Sequence, residues 1–280
     1  MSSEIVSASS LWVGSYRRRM KVSLERMYEN ALDWAHLPYL HNSAFSSIEV
    51  IEAGDWGWRA DLGLGQRPEG GAPPHVTLQL TLDRAHRRWV SNTLEGPGAG
   101  SEIWTHVFEF GSRDLEIQAD FFIPGVAEAN RASVGAAYAE LYQGLYGEDE
   151  AMMLERQRAL DGQSASKGGL DVSNPEDHAL GTVQSLTSML PFDFAYQGQH
   201  WRLIKDQEEW LVYTLTCPHL LGSFKTVTAE SGTVTCPWHG YRFNLRSGEC
   251  LSGAECRLPN PPKLIERNGW LYVQKNTVNV

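Results

Sequence analysis

Cys217-Pro218-His219 and Cys236-Pro237-Trp238-His239-Gly240-Tyr241 are separated by sixteen residues, and each segment offers one thiolate and one imidazole. Two sulfurs and two nitrogens from two short loops suit an iron–sulfur cluster in which one iron takes the sulfurs and the other the nitrogens. Neutral imidazoles raise the potential of such a cluster above that of an all-cysteine one. Tetrahedral zinc would accept the same four donors, but zinc modules usually open with two cysteines about two to four residues apart. Here Cys pairs with His in both halves, which favours the cluster. Pro218, Pro237 and Gly240 stiffen the loops for close approach. Cys250 and Cys256 lie outside both loops and are read as non-ligands.

With these residues in place, 195–275 resemble the Rieske domain of the ring-hydroxylating oxygenase family. The resemblance implies a [2Fe-2S] cluster held by Cys217, His219, Cys236 and His239. Neither loop carries the extra cysteine that forms a disulfide in respiratory-complex Rieske proteins, which points toward the oxygenase type. Leu220 stands where many oxygenases carry a basic residue after the first histidine. That departure bears on potential tuning or donor docking rather than on ligation.

A second constellation lies near the N-terminus, in Glu29-Asn-Ala-Leu-Asp33-Trp-Ala-His36-Leu-Pro-Tyr-Leu-His41. Asp33 and His36 share a helical face, whereas His41 would diverge from His36 by about 140° on a regular helix. Pro38 removes a backbone donor and biases Leu37 away from helical angles, so a kink there is expected to turn His41 back until two imidazoles converge on one ion. D-x2-H-x4-H resembles the mononuclear iron motif of Rieske oxygenase catalytic domains, which implies that His36 and His41 bind Fe(II). It also implies a helix-grip, START/Bet v 1-like fold over residues 1–190, followed by the small all-β Rieske domain over 191–280, an α+β chain in all. Such an iron needs a carboxylate as its third ligand, with positions left open for oxygen. Gly147-Glu148-Asp149-Glu150 supplies the candidates. Asp149 continues the apolar stripe through Tyr142 and Leu145, where a metal would compensate a buried charge; Glu148 is next in order and Glu150 points away. Asp33 is expected to accept the free ring N–H of His36 rather than to bind iron. In the family, an aspartate at this place also meets a Rieske histidine of a neighbouring subunit, which implies that His239 approaches Asp33 in a homo-oligomer, with a trimer favoured. The domain order is the reverse of most of the family and looks like a circular permutation.

These groups must be positioned by elements the pattern also marks. Alternation in Trp56-Trp58-Ala60-Leu62, Val76-Leu78-Leu80-Leu82 and Leu115-Ile117-Ala119-Phe121 predicts half-buried antiparallel strands between 47 and 123. Val134, Tyr138, Leu141, Tyr142 and Leu145 predict a long helix over about 130–161, and a shorter one is expected at 24–35. The basic run Arg17-Arg18-Arg19 reads as a solvated helix start. Residues 161–177 read as a linker or mobile loop, and after 190 short strands alternate with turns, Asn268-Gly269 being a hairpin signal. Tyr142, Trp104 and Phe108 are candidate lining residues, with core packing as their alternative.

The 280 residues are 42% apolar and 21% charged, enough for sizeable cores, which excludes wholesale disorder. A net charge of −10 argues against nucleic acid as a partner. No apolar run approaches a membrane span and the N-terminal SSEIVSASS lacks the order of a signal peptide, so the chain is expected to be cytoplasmic. The resemblance implies a Rieske oxygenase of the monooxygenase kind, fed by NAD(P)H through a ferredoxin or flavin reductase, that hydroxylates or demethylates a hydrophobic small molecule with O2. Two rivals are an electron-transfer protein whose first domain binds a ligand without catalysis, and a metal-binding regulator without turnover.

Overall fold

Period-two alternation does most of the architectural work in the first half of the chain. Its strands β1 (Trp12–Met20), β2 (Phe45–Gly54), β3 (Gly57–Leu64), β4 (His75–Asp83), β5 (Arg88–Glu95), β6 (Glu102–Gly111) and β7 (Asp114–Phe122) form one antiparallel sheet in the order β1-β7-β6-β5-β4-β3-β2. The computed structural model describes residues 12–65, 73–166 and 177–275, so SSEIVSASS and most of the expected linker lie outside the described residues. The chain divides into two units, Met1–Leu154 and Glu155–Val280.

In the first unit, Ala60, Leu62, Leu115, Ile117 and Phe121 point inward and are at most 1% exposed. Each of the larger ones contributes on the order of 1.5–3 kcal/mol by leaving water. Against this face pack α1 (Leu24–Leu32) and α3 (Glu128–Ser166), through Met27 and Tyr28 from α1 and Tyr146 and Met153 from α3. This is the expected helix-grip arrangement. At the sheet edge the backbones of β1 and α3 nearly touch: a Cβ on Gly135 would lie 2.2 Å from the Val13 carbonyl oxygen.

The basic run is strand β1, not a helix start, with Val13 and Met20 buried at its ends. Arg18 makes two hydrogen bonds to Glu150 and Arg19 two to Asp114, so the charges that hid the alternation are satisfied by ion pairs. On α3, Leu141 is exposed and Tyr146 takes the inward place. Trp104 and Phe108 lie on the face of β6 opposite the buried Thr105 and Val107. Trp104 there packs under Arg88 and bonds Glu102, so neither lines the interior. Of the three candidates only Tyr142 does.

The second unit is built from β8 (His178–Thr182), α4 (Val183–Ser188), β9 (Phe192–Tyr196), β10 (Gln199–Asp206), β11 (Glu209–Thr214), β12 (Thr233–Thr235), β13 (Arg242–Asn244), β14 (Leu264–Arg267) and β15 (Trp270–Val273). They form the sheets β11-β10-β9, β12-β13 and β14-β15-β8 around Leu186, Leu203, Leu271 and Val273. Asn268 and Gly269 turn the last hairpin with φ of 53° and 73°, as a two-residue turn of that type requires. Since β8 pairs with β15, residues 178–190 belong with the second unit rather than with the first domain to which a boundary at 190 assigns them. Among the described residues no helix is both long and apolar enough to cross a membrane.

Candidate metal centres

Ser23 caps α1 by accepting a hydrogen bond from the Arg26 N–H at 3.4 Å. The helix stops at Asp33, whose φ of −85° and ψ of 73° leave the helical region while its N–H still reaches the carbonyls of Glu29 and Asn30. A 3₁₀ turn, Trp34–His36, leads directly into α2 (Leu37–Leu40). Pro38 sits in the first turn of α2, where its missing N–H has no helical partner to lose. Pro38 therefore begins a new helical turn between the two histidines rather than kinking a continuous one, and His41 ends that turn at φ −99° and ψ 39°.

The result is a buried triad: His36 is 3% exposed, His41 2% and Asp149, delivered by α3, 7%. The two rings stand 5.0 Å apart between centroids at 75°. Their Nε2 atoms face the same carboxylate oxygen, Asp149 Oδ1, at 3.4 Å from His36 and 3.0 Å from His41. One ligand atom from each of the three lies within 4.8 Å of the others. Two nitrogens and one carboxylate oxygen, all buried, make a donor set that suits a divalent transition metal with open positions.

Groups on the far side of each ring set its orientation. Glu148 Oε2 lies 2.6 Å from His41 Nδ1; with the proton on Nδ1 donated there, Nε2 keeps its lone pair for a metal. Glu148, the second choice for third ligand, meets the ring of His41 on the side away from Asp149. Asp33 Oδ2 is 3.6 Å from His36 Nδ1, too long for a hydrogen bond, so it acts on His36 through charge. Asn30 donates to Asp149 Oδ1 at 2.9 Å. Sequence reasoning missed Asn30, although an amide on the otherwise apolar buried face of α1 was a signal. Glu150 is turned to Arg18, as expected.

Electrostatics follow from this packing. Burial opposes charging of His36, but hydrogen bonding to Asp149 and the Asp149 and Asp33 charges push its pKa from 6.5 up to about 10. Burial would raise the Asp149 pKa, yet the two histidines hold it well below the usual carboxylate range. Burial, reinforced by the Asp149 charge, raises both the Tyr142 and Tyr146 phenols. These rings lie 5.9 Å apart.

In the second unit the two Cys/His loops repeat one backbone pattern. The Cys217 N–H donates to the Gly222 carbonyl and the Cys236 N–H to that of Tyr241; the N–H of Leu221 returns to Cys217 O and that of Gly240 to Cys236 O. Leu221 and Gly240 both take positive φ, 64° and 65°. The loops also press together, since a Cβ on Gly222 would lie 2.8 Å from the Trp238 ring and 3.2 Å from Cys236 Sγ. His219 and His239 face each other at 4.6 Å and 87°, with the Tyr241 ring 4.8 Å from His219. Cys217 and Cys236 are at most 1% exposed and His239 2%, whereas His219 is partly exposed. Hydrogen bonding between the two sulfurs raises the Cys217 pKa and lowers that of Cys236. Two paired sulfurs and two paired imidazoles in a cradle that admits no Cβ fit a [2Fe-2S] cluster.

Arg202, 8% exposed, braces this unit. It makes two hydrogen bonds to Asp193 and donates to the carbonyls of Phe224, Lys225 and Val227, just past the first loop.

Comparison with known proteins agrees. Residues 178–262 match the Rieske [2Fe-2S] domain family. The ferredoxin of carbazole 1,9a-dioxygenase from Nocardioides aromaticivorans IC177 is similar at 19% identity, covering 35% of this chain and 95% of that one, with a TM-score of 0.30. The ZhuI aromatase/cyclase from Streptomyces sp. R1128 is similar at 16% identity, covering 52% of this chain and 95% of that one, with a TM-score of 0.41. A START superfamily protein from Mycobacterium smegmatis has 14% identity over 49% of this chain and 97% of its own, with a TM-score of 0.40. No protein of curated function matches the sequence. The chain is a seven-stranded antiparallel sheet with a long helix in helix-grip arrangement, followed by a small all-β Rieske domain. That domain implies a [2Fe-2S] cluster and a role in electron transfer or in Rieske oxygenase-like chemistry.

Proposed function

We propose that the chain is a Rieske-type oxygenase, permuted in domain order, that uses reductase-supplied electrons and O2 to hydroxylate or oxidatively demethylate a hydrophobic or aromatic small molecule. One observation carries this reading: His36, His41 and Asp149 are buried together with both Nε2 atoms aimed at one carboxylate oxygen. A chain that only relayed electrons from its Rieske domain would have no use for such a donor set. When bound, the cluster would supply electrons singly, and iron(II) held by the triad would supply open positions at which O2 is reduced.

The protein's own residues divide the remaining work. Glu148 holds the Nδ1 proton of His41, and Asn30 fixes the Asp149 carboxylate. Tyr142, Tyr146 and Phe121 keep water from the approach to the triad and offer an apolar wall to a hydrophobic substrate. Asp33, whose side chain is 11% exposed, is the link to the Rieske domain of a neighbouring copy in a homo-oligomer, a trimer favoured. The imidazole presented to it is that of His219 in place of His239, because His239 is 2% exposed in its own chain. Monooxygenation is the favoured reaction, with a ferredoxin or flavin reductase spending NAD(P)H upstream.

Metal analysis of anaerobically prepared protein tests the reading. About three irons per chain are expected, falling to about two in His36→Ala with the cluster spectrum unchanged. Two irons in the unmodified protein, with no substrate-dependent O2 uptake, would instead make it an electron carrier with a non-catalytic ligand-binding domain.

A further inference from the structure

Two cysteines remain that the cluster does not use. Cys250 and Cys256 stand at the two ends of a surface loop, Leu251–Glu255, in which Leu251, Ser252, Gly253 and Glu255 are exposed. The strands leading into this loop are in register: the Leu258 N–H donates to Gly248 O at 2.8 Å, and Glu249 bridges Arg257 antiparallel. One step further along that ladder places Cys250 directly opposite Cys256. Facing residues of an antiparallel pair have Cα atoms about 4.5–5.5 Å apart, inside the range of roughly 4.4–6.8 Å that a disulfide spans. Burial, with Cys250 beside it, raises the Cys256 pKa.

The loop is also tied to the cluster cradle. Leu251 N–H donates to Arg242 O at 2.7 Å, the Arg242 N–H donates to Ser252 Oγ at 3.0 Å, and Cys250 bridges Phe243. Arg242 directly follows Tyr241, whose ring packs against both cluster histidines.

We propose that Cys250 and Cys256 are a reversible dithiol–disulfide pair whose closure locks the 251–255 loop against the second ligand loop of the cluster. The oxidant is a small-molecule disulfide of the glutathione class. One cysteine thiolate attacks it, forming a mixed disulfide and releasing one glutathione thiolate. The second cysteine then displaces the other glutathione, so the protein loses two protons and two electrons and the oxidant becomes two thiols. Both cysteines are partly exposed, which leaves the reagent a path. The inference rests on the Rieske domain alone and is independent of the oxygenase reading.

The test uses the full chain with its cluster loaded, so that Cys217 and Cys236 are occupied as ligands. After incubation with oxidised glutathione, remaining thiols are alkylated under denaturing conditions and the digest is weighed. A linked Cys250–Cys256 peptide is expected, lost on reduction with dithiothreitol and absent from Cys250→Ser and Cys256→Ser, whose cluster spectra report that they fold. Two separately alkylated cysteines, a persistent glutathione adduct, or a link to Cys217 or Cys236 would overturn the pairing. Bleaching of the cluster by an iron chelator should slow several-fold in the oxidised protein and not respond to glutathione in Cys256→Ser. Equal bleaching rates in oxidised and reduced protein would overturn the lock.

Discussion

Replacing Glu148 by alanine separates a ligand from a group that orients one. Glu148 Oε2 stands 2.6 Å from His41 Nδ1, on the side of the ring away from Asp149. The Glu148 side chain is 44% exposed, so its charge is screened and contributes little over distance. What it supplies is the acceptor that keeps the proton on Nδ1 and the lone pair on Nε2. Losing such a partner costs about 10–100-fold in metal affinity, or roughly 1.4–2.8 kcal/mol. Glu148→Gln retains an acceptor oxygen at nearly the same place and should recover most of the loss. Anaerobic titration of the protein, stripped of its mononuclear metal, with Co(II) reads this through the visible bands of the bound ion. Asp149→Ala should abolish those bands, whereas Glu150→Ala, which disturbs only the pair with Arg18, should leave them. Unchanged affinity in Glu148→Ala would refute the orienting role. Equal loss in the alanine and glutamine variants would assign the effect to charge instead.

Pro38→Ala should change Co(II) affinity by less than about threefold, because Pro38 occupies a first-turn position of α2 that tolerates either residue; a large loss in the same titration would restore the proline kink. In the metal-free protein, burial works against a charged His36, but Asp149 and Asp33 outweigh it and raise its pKa from 6.5 to about 10. The folded chain therefore keeps a proton that the unfolded chain releases, so this contribution to stability is complete below pH 6.5 and is lost as pH rises toward 10. Melting temperatures across that window should fall, and His36→Gln should flatten the decline. Asp33→Asn should leave both metal centres occupied and the cluster reducible, yet nearly abolish coupled substrate oxidation; near-normal O2 consumption with product would remove Asp33 from the electron path.

Much of this was legible in the sequence wherever one physical rule dominated. The inward alternation of β3, β4 and β7 and the stripe on α3 are direct consequences of burial, and the two Cys/His loops could be read because ligand chemistry restricts spacing. Strand β1 was hidden because Arg17, Arg18 and Arg19 mask a period-two pattern; Arg18 points inward only because Glu150, more than a hundred residues later, neutralises it. His36, His41 and Asp149 were legible as a set, but the side of each ring that faces each carboxylate was not. Glu148 and Asp149 are adjacent, and only the roll of α3 decides which meets Nε2 and which meets Nδ1. Arg202 was invisible for a similar reason, since its carbonyl partners lie 22–25 residues downstream.

The pinch between β1 and α3 sets a ruler for the His36, His41 and Asp149 triad. Gly135 rests on Val13 and Gly14 with no side chain between the backbones, which fixes both the height and the roll of the helix at that point. Asp149 follows fourteen residues later, about 21 Å along the axis and within roughly 40° of four full turns. Inserting or deleting a single residue between them would swing the carboxylate by about 100° and carry it off the two histidines. The segment can therefore vary in composition far more freely than in length.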